Sequence, residues 1–199
     1  MIRAAGSSSL RRMTDDNRLL NVLRSLRERG AIGEESLSQA ITHSEAFVAA
    51  LPYPCHRVID LGSGGGLPGL IVASRRPDLL VVLTDRRERR VDLLRLASVQ
   101  LGIGDRVEVL GGDVVRFGRE SKWVGMFDAV TARSFGAPLW TLQCAVPFLR
   151  QGGAVIVSEP PSPDAFRRWP TEGVAALGLR PSEQVFPFVR RFVVDECFT

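Results

Sequence analysis

Hydrophobic positions recur along the chain with two different periods. Between Thr14 and Gly30 the apolar residues Leu19, Leu20, Leu23 and Leu26 fall at helical spacing. Thr14 is placed to cap that helix, and Gly30 offers a left-handed stop. A second helix is predicted from Glu34, with Leu37, Ile41, Ser44, Val48 and Leu51 along one side, until Pro52 and Pro54 break the pattern. Two short helices of this kind do not bury a core by themselves. Residues 1–52 therefore read as a tail and helical appendage that packs on the rest of the chain.

From Arg57 onward, short apolar runs alternate with helical segments. This is the pattern of βαβ units and a mostly parallel sheet, and it assigns residues 53–199 to one α/β domain. The predicted strands are 57–61, 79–84, 107–110, 127–132 and 154–158. The helices between them are 68–74, closed before Pro77, then 88–101, closed by Gly102, and 137–149, closed by Gly152 and Gly153. After Glu159 the run PPSP marks a loop. The segment 184–198 reads as two short strands around Pro187, an antiparallel hairpin for the sheet edge. The fold class expected is a Rossmann-like α/β domain with a seven-stranded sheet.

Composition narrows the picture. With 199 residues, 45% of them hydrophobic, the chain suffices for one full core. Charged residues interrupt every apolar run before it reaches membrane-spanning length, and the basic, Ser-rich start is not followed by a signal-peptide core. Residues 1–13 read as a disordered tail. Cys55, Cys144 and Cys197 are scattered, and His43 and His56 are the only histidines. Neither a disulfide framework, a metal site nor a Ser/His/Asp triad is suggested, and a reducing cytoplasm is the expected compartment. The formal charge is +4, with arginine pairs at 11/12, 75/76, 86/87, 89/90, 167/168 and 190/191. An anionic partner suits that charge, although Lys122 is the only lysine and arginine must serve the ordinary surface as well.

The richest chemistry lies in Val58-Ile-Asp-Leu-Gly-Ser-Gly-Gly-Gly-Leu-Pro-Gly69, a strand, a glycine turn and a helix start with five glycines in eight residues. Such a turn brings backbone amides close to a nucleotide-type cofactor. Gly64, Gly66 and Gly69 satisfy G-x-G-x-x-G, the dinucleotide fingerprint, so an NAD-dependent oxidoreductase is one reading. Asp60 argues against it. A carboxylate at the mouth of the loop repels a pyrophosphate and attracts the ammonium and sulfonium of S-adenosylmethionine. Asp85, with Arg86 beside it, closes the second strand, where a carboxylate accepts from ribose hydroxyls. Asp113, Val114 and Val115 follow the third strand, where a carboxylate and apolar surface suit an adenine edge. Asp113 serves equally well as a helix N-cap.

The segments Asp60-Leu-Gly-Ser-Gly-Gly-Gly-Leu-Pro-Gly69, Arg76-Pro-Asp78, Thr84-Asp85 with Arg89-Arg90, and Thr131-Ala-Arg-Ser-Phe135 together resemble the guanine-N7 methyltransferases of small-subunit ribosomal RNA, the glucose-inhibited division protein B family. The resemblance covers roughly residues 57–158, with a weaker echo in Arg190-Arg-Phe-Val-Val194. It implies an S-adenosylmethionine-dependent enzyme acting on ribosomal RNA or the small subunit. Gly62 and Leu67 would line the methionine and adenosine end, Val114 and Val115 the adenine, and Arg133 would reach the cofactor or the RNA, with Ser63, Gly64 and Gly66 counted among the cofactor-binding residues. An arginine just past a strand also reads as the partner of a nearby carboxylate. Two departures stand out: the family's N-terminal Asn-Leu-Thr segment is absent, and Ser158-Glu159-Pro160 replaces its Lys-Gly. A small-molecule or protein methyltransferase, or a non-catalytic relative, stays open on those residues. Guanine N7 carries a free lone pair, so no general base is needed. Ser63, Arg133 and Glu159 are candidates to orient the acceptor.

Overall fold

A computed structural model of the protein describes residues 4–160, 162 and 165–195. The N-terminal helix α1 spans Ala4–Glu28, and α2 spans Leu37–Ala49. Thr14 lies inside α1 rather than capping it, so the segment expected as a tail continues the helix back to Ala4. Gly30 adopts φ +72° just past the helix end, the left-handed stop foreseen. The cap of α2 is Ser36, whose hydroxyl accepts from the Gln39 amide at 3.2 Å. Glu34 and Glu35 fall in the connection.

The strands are β1 (Arg57–Leu61), β2 (Leu80–Asp85), β3 (Val107–Gly111), β4 (Phe127–Ala132), β5 (Leu149–Ser158), β6 (Leu179–Pro181) and β7 (Val189–Val194). They form one sheet in the order β3-β2-β1-β4-β5-β7-β6, in which only β7 pairs antiparallel to its neighbours. Helices α3 (Gly69–Arg75), α4 (Glu88–Leu101), α5 (Val114–Phe117), α6 (Pro138–Ala145) and α7 (Thr171–Ala175) complete the α/β architecture.

Alternation along the strands sorts the apolar residues onto two faces. Val58, Val81, Leu83 and Ile156 join Leu23, Phe47, Leu70 and Leu94 beneath α1 to α4. Ile59, Leu61, Val82, Val130 and Val155 join Phe117, Leu142, Phe148 and Trp169 on the other. Both N-terminal helices thus share the core of the sheet's first face.

Several expectations change. The predicted helix 137–149 stops at Ala145 and passes into a 3-10 turn at Val146–Phe148, because Pro147 lacks the amide that would continue it. β5 starts at Leu149 and absorbs Gly152, with φ +71°, as a register shift against β4. The edge hairpin is real, but its first strand is Leu179–Pro181 rather than the segment before Pro187, where only an isolated Phe186–Val189 bridge forms. Cys197 and parts of the PPSP loop lie outside the described residues. Among the described residues, no helix is long and apolar enough to cross a membrane and no acidic, His or Cys cluster is arranged to hold a metal.

Candidate active site

The strand order reverses between β1 and β4, and in open α/β sheets the crevice beyond the carboxyl ends of the strands at such a point receives ligands. A cavity of about 340 Å³ opens there. Gly62 borders it after β1. Asp85, Arg86, Arg87 and Arg90 follow from β2, Gly112 to Val115 from β3, Ser134 and Phe135 from β4, and Trp140 and Cys144 from α6.

The glycine loop is stitched to the end of β2. The Ser63 amide donates to the Thr84 carbonyl at 2.7 Å, the Gly62 amide to Thr84 Oγ1 at 3.2 Å, and the Gly64 amide to Asp85 Oδ2 at 3.0 Å. The Gly66 amide closes the turn on the Ser63 carbonyl at 2.7 Å. These amides are spent within the protein, which corrects the expectation that the loop offers them to a ligand. What the glycines supply is conformation and closeness. Gly62 has φ +64°, and a Cβ there would stand 2.8 Å from the Phe135 ring. A Cβ on Gly65 would stand 2.5 Å from Ile32 and 2.7 Å from the Ala31 carbonyl, so the α1–α2 connection presses on the loop.

Asp60 does not sit at the mouth of the loop. It shares the strand face of Val58, is fully buried, and lies under α3, where a Cβ on Gly69 would stand 2.8 Å from its Oδ2. Its Oδ1 accepts from the Thr131 hydroxyl at 2.6 Å, while Oδ2 lies buried against the Gly69 backbone without a side-chain partner. Burial pushes the carboxyl up to about 6, against the pull of hydrogen bonding from Thr131, Ser63 and the Gly69 amide and of the Arg133 charge. The argument that Asp60 repels a pyrophosphate by direct exposure therefore fails.

Ser63 is also committed elsewhere: its hydroxyl donates to the Asp60 carbonyl at 3.1 Å and accepts from the Thr84 amide at 3.1 Å. It is not free to orient an acceptor. Leu67 packs on the core beneath the loop rather than lining the cavity. Asp85 does line it, with Oδ2 on Gly64 and Oδ1 accepting from the Arg87 amide at 2.8 Å. Asp113 lines it too and is the N-cap of α5, its Oδ1 accepting from the Val115 amide at 2.8 Å.

Arg133 pairs with Glu35, leaving Nη1 buried and without a partner. Glu159, at the end of β5, is already held on both oxygens. Trp169 Nε1 donates to Oε1 at 2.5 Å and Arg190 Nε to Oε2 at 3.3 Å.

Of the expected residues, Gly62, Asp85, Arg86, Asp113, Val114 and Val115 lie on the wall and Gly64 and Gly66 do not, while Arg87, Arg90, Gly112, Ser134 and Phe135 line it without having been singled out, as do Trp140 and Cys144. Those two stand four residues apart on one face of α6, a spacing that marks a shared surface but not what faces it.

The structure also separates the arginine pairs. Arg75 pairs with Asp16 and with Glu45, Arg76 with Asp78, and Arg190 with Glu159. Arg86 and Arg87 are exposed on the cavity wall, Arg89 is exposed early in α4 with its guanidinium donating to the Arg29 carbonyl at 3.3 Å, and none of the three forms an ion pair with any of the described residues.

Known proteins sharpen this description. Among solved structures, the fold is similar to an O-methyltransferase from Bacillus cereus solved with SAH, at TM-score 0.65 and 17% identity over 90% of this chain and 91% of that one. It is also similar to a SAM-dependent methyltransferase from Geobacter sulfurreducens in complex with S-adenosyl-L-homocysteine, at TM-score 0.55 and 24% identity over 72% and 66%. In sequence, the ribosomal RNA small subunit methyltransferase G of Mycobacterium leprae (strain TN) is 38% identical over 136 residues, 65% of this chain and 53% of that protein. Its counterpart in Leifsonia xyli is 40% identical over 135 residues, 65% of this chain and 61% of that protein. The chain therefore spans little more than half the length of these relatives. The family model described as GidB, rRNA small subunit methyltransferase G, matches residues 14–159, from α1 through Glu159, and the chain belongs to that family.

Proposed function

We propose that this chain is an S-adenosylmethionine-dependent methyltransferase that transfers a methyl group to N7 of a guanine in small-subunit ribosomal RNA. The observation that carries the reading is the cavity at the reversal of strand order, every wall of which falls inside the family match at residues 14–159.

The residues fit the cofactor part by part. Asp85, at the end of β2, suits the ribose hydroxyls, and each of its oxygens keeps a lone pair beyond its amide partner. Val114 and Val115 give an apolar wall for the adenine, beside the Asp113 oxygen not used in capping. Arg133 Nη1, buried without a protein partner just before the wall residues Ser134 and Phe135, is complementary to the carboxylate of a methionine moiety, while Asp60, buried under α3 and off the cavity wall, supports the glycine loop from below. Arg86 supports the rim.

S-adenosylmethionine supplies a methyl carbon activated by its sulfonium. The protein's share is to place the acceptor in line at roughly 3 Å in a site that excludes water. Guanine N7 holds its lone pair without a proton, so no residue need accept one, in keeping with a cavity wall without histidine. Arg86, Arg87 and Arg89, free of acidic partners among the described residues, suit an RNA phosphate backbone. A ribosomal substrate sets this work in the cytoplasm.

The test is transfer of labelled methyl from S-adenosylmethionine to small-subunit particles from cells lacking this protein, with S-adenosylhomocysteine binding followed by calorimetry. Label in a guanine of the RNA is expected. Tight S-adenosylhomocysteine binding with no labelled RNA would overturn the substrate, and no binding would overturn the cofactor.

A further inference from the structure

We propose that Glu35, on the connection between α1 and α2, is the positioning residue for Arg133, fixing one guanidinium nitrogen so that the other stays open for ligand. The inference rests on the cofactor reading above and adds the N-terminal helices to the site.

Arg133 leaves the end of β4 with its side chain 16% exposed, and one terminal nitrogen pairs with Glu35. A guanidinium is planar and rigid, so fixing one nitrogen fixes where the other points. That other nitrogen, Nη1, is buried with no protein partner. Arg133 directly precedes Ser134 and Phe135 of the cavity wall, and a buried guanidinium nitrogen without a protein partner there suits the carboxylate of a ligand's amino-acid end.

Glu35 is held for that task from both helices. Arg27 of α1 donates to its backbone carbonyl, and His43 of α2 lies with Nδ1 3.8 Å from its Oε2. The next residue, Ser36, is pinned as the cap of α2. His43 in turn rests on the Phe188 ring at 4.6 Å, and the Phe188 carbonyl accepts from the Glu159 amide at 2.8 Å. The carboxylate that directs Arg133 is thereby tied to α1, α2 and the edge hairpin together.

The experiment compares two ligands by calorimetry on the full chain. S-adenosylhomocysteine carries the amino-acid end, and 5′-methylthioadenosine lacks it. Glu35→Gln is expected to weaken S-adenosylhomocysteine roughly tenfold and leave 5′-methylthioadenosine within about twofold. Arg133→Gln should show the same split, and the double variant should be no worse than Arg133→Gln alone. Partial recovery in Glu35→Asp is expected, and that variant reads the same split should Glu35→Gln not fold. Equal weakening of both ligands, no weakening of either, or additive losses in the double variant would overturn the proposal. If the wild-type chain binds neither compound, the cofactor reading fails first and the pair is only a fold contact.

Discussion

Two carboxylates close two strands of the same sheet and meet opposite fates. Glu159 at the end of β5 is clamped on both oxygens, by Trp169 and by Arg190. Asp60 in β1 is more deeply buried, yet only one oxygen is bonded by a side chain, that of Thr131, and the other lies against the Gly69 backbone. Native proteins leave few buried polar atoms unmet, and those they leave ask for a reason. Here the clamped group lies at the sheet's edge half, where β7 turns antiparallel, and the other lies under Gly69, where the glycine loop enters α3. The difference teaches that position near the reaction site does not by itself make a carboxylate functional. Whether its hydrogen bonds are already spent is the sharper criterion, and by it Glu159 is the less available of the two.

The largest test breaks the clamp. Trp169 is 7% exposed, packs on Phe192 at 5.0 Å between ring centres and donates to Glu159. Trp169→Ala should cost about 4 kcal/mol in denaturant unfolding, since it opens a core cavity and strips a donor from a nearly buried carboxylate. Trp169→Phe keeps most of the packing and should cost about 2 kcal/mol, isolating the hydrogen bond. If the phenylalanine variant is as stable as the parent, the clamp contributes nothing and the contrast with Asp60 dissolves.

A second test turns on the Asp60 carboxyl. Its pKa rises on folding from 3.8 to about 6. Below 3.8 the group is protonated in both states, and stability from this source is fully present. As pH rises through the folded value of about 6 that stability is lost, and above it the ionised group costs on the order of 3 kcal/mol. Asp60→Asn keeps an acceptor for Thr131 and removes the charge. It should therefore be more stable than the parent at pH 7, with the difference vanishing near pH 4, while S-adenosylhomocysteine binding weakens. A parallel pair of stability curves would refute the assignment of the penalty to Asp60.

How much of this was legible in the sequence depends on the range of each interaction. β1 and β4 occupy the residues expected because alternation within a strand is written locally, in Val58 and Ile59 or Ala129 and Val130. β6 was not, since Leu179–Pro181 is three residues ending in a proline, with too little pattern to mark it and only β7 to define it. The site divides the same way. Asp85 and Asp113 end strands or start helices and could be placed by spacing. The Glu35–Arg133 pair joins residues 98 apart in the chain, and the commitment of Ser63 to Thr84 needs β2 laid beside the loop. The arginine pairs looked alike in sequence for the same reason: only tertiary packing brings Asp16 and Glu45 to Arg75 and leaves Arg86 and Arg87 bare of acids among the described residues.

The smallest expected effect supplies the control for Asp60. Asp78 is bonded on both oxygens, by Arg76 Nε at 2.8 Å and Arg76 Nη2 at 2.7 Å, but its side chain is 56% exposed. The Arg76 hydrogen bonds hold its carboxyl down at about 2, so the sign is the reverse of Asp60. This stability is present above the ordinary value of 3.8 and is lost as pH falls through about 2, a window that does not overlap the one for Asp60. Solvent screening and the cost of ordering two exposed side chains discount it, and Asp78→Asn should lose less than about 1 kcal/mol at pH 7. The two asparagine variants thus carry opposite signs at neutral pH, with the larger change at the buried group. A loss at Asp78 exceeding that of Trp169→Phe would mean that bidentate geometry outweighs burial in this protein, and the ranking of its carboxylates by unspent hydrogen bonds would have to be rebuilt on exposure instead.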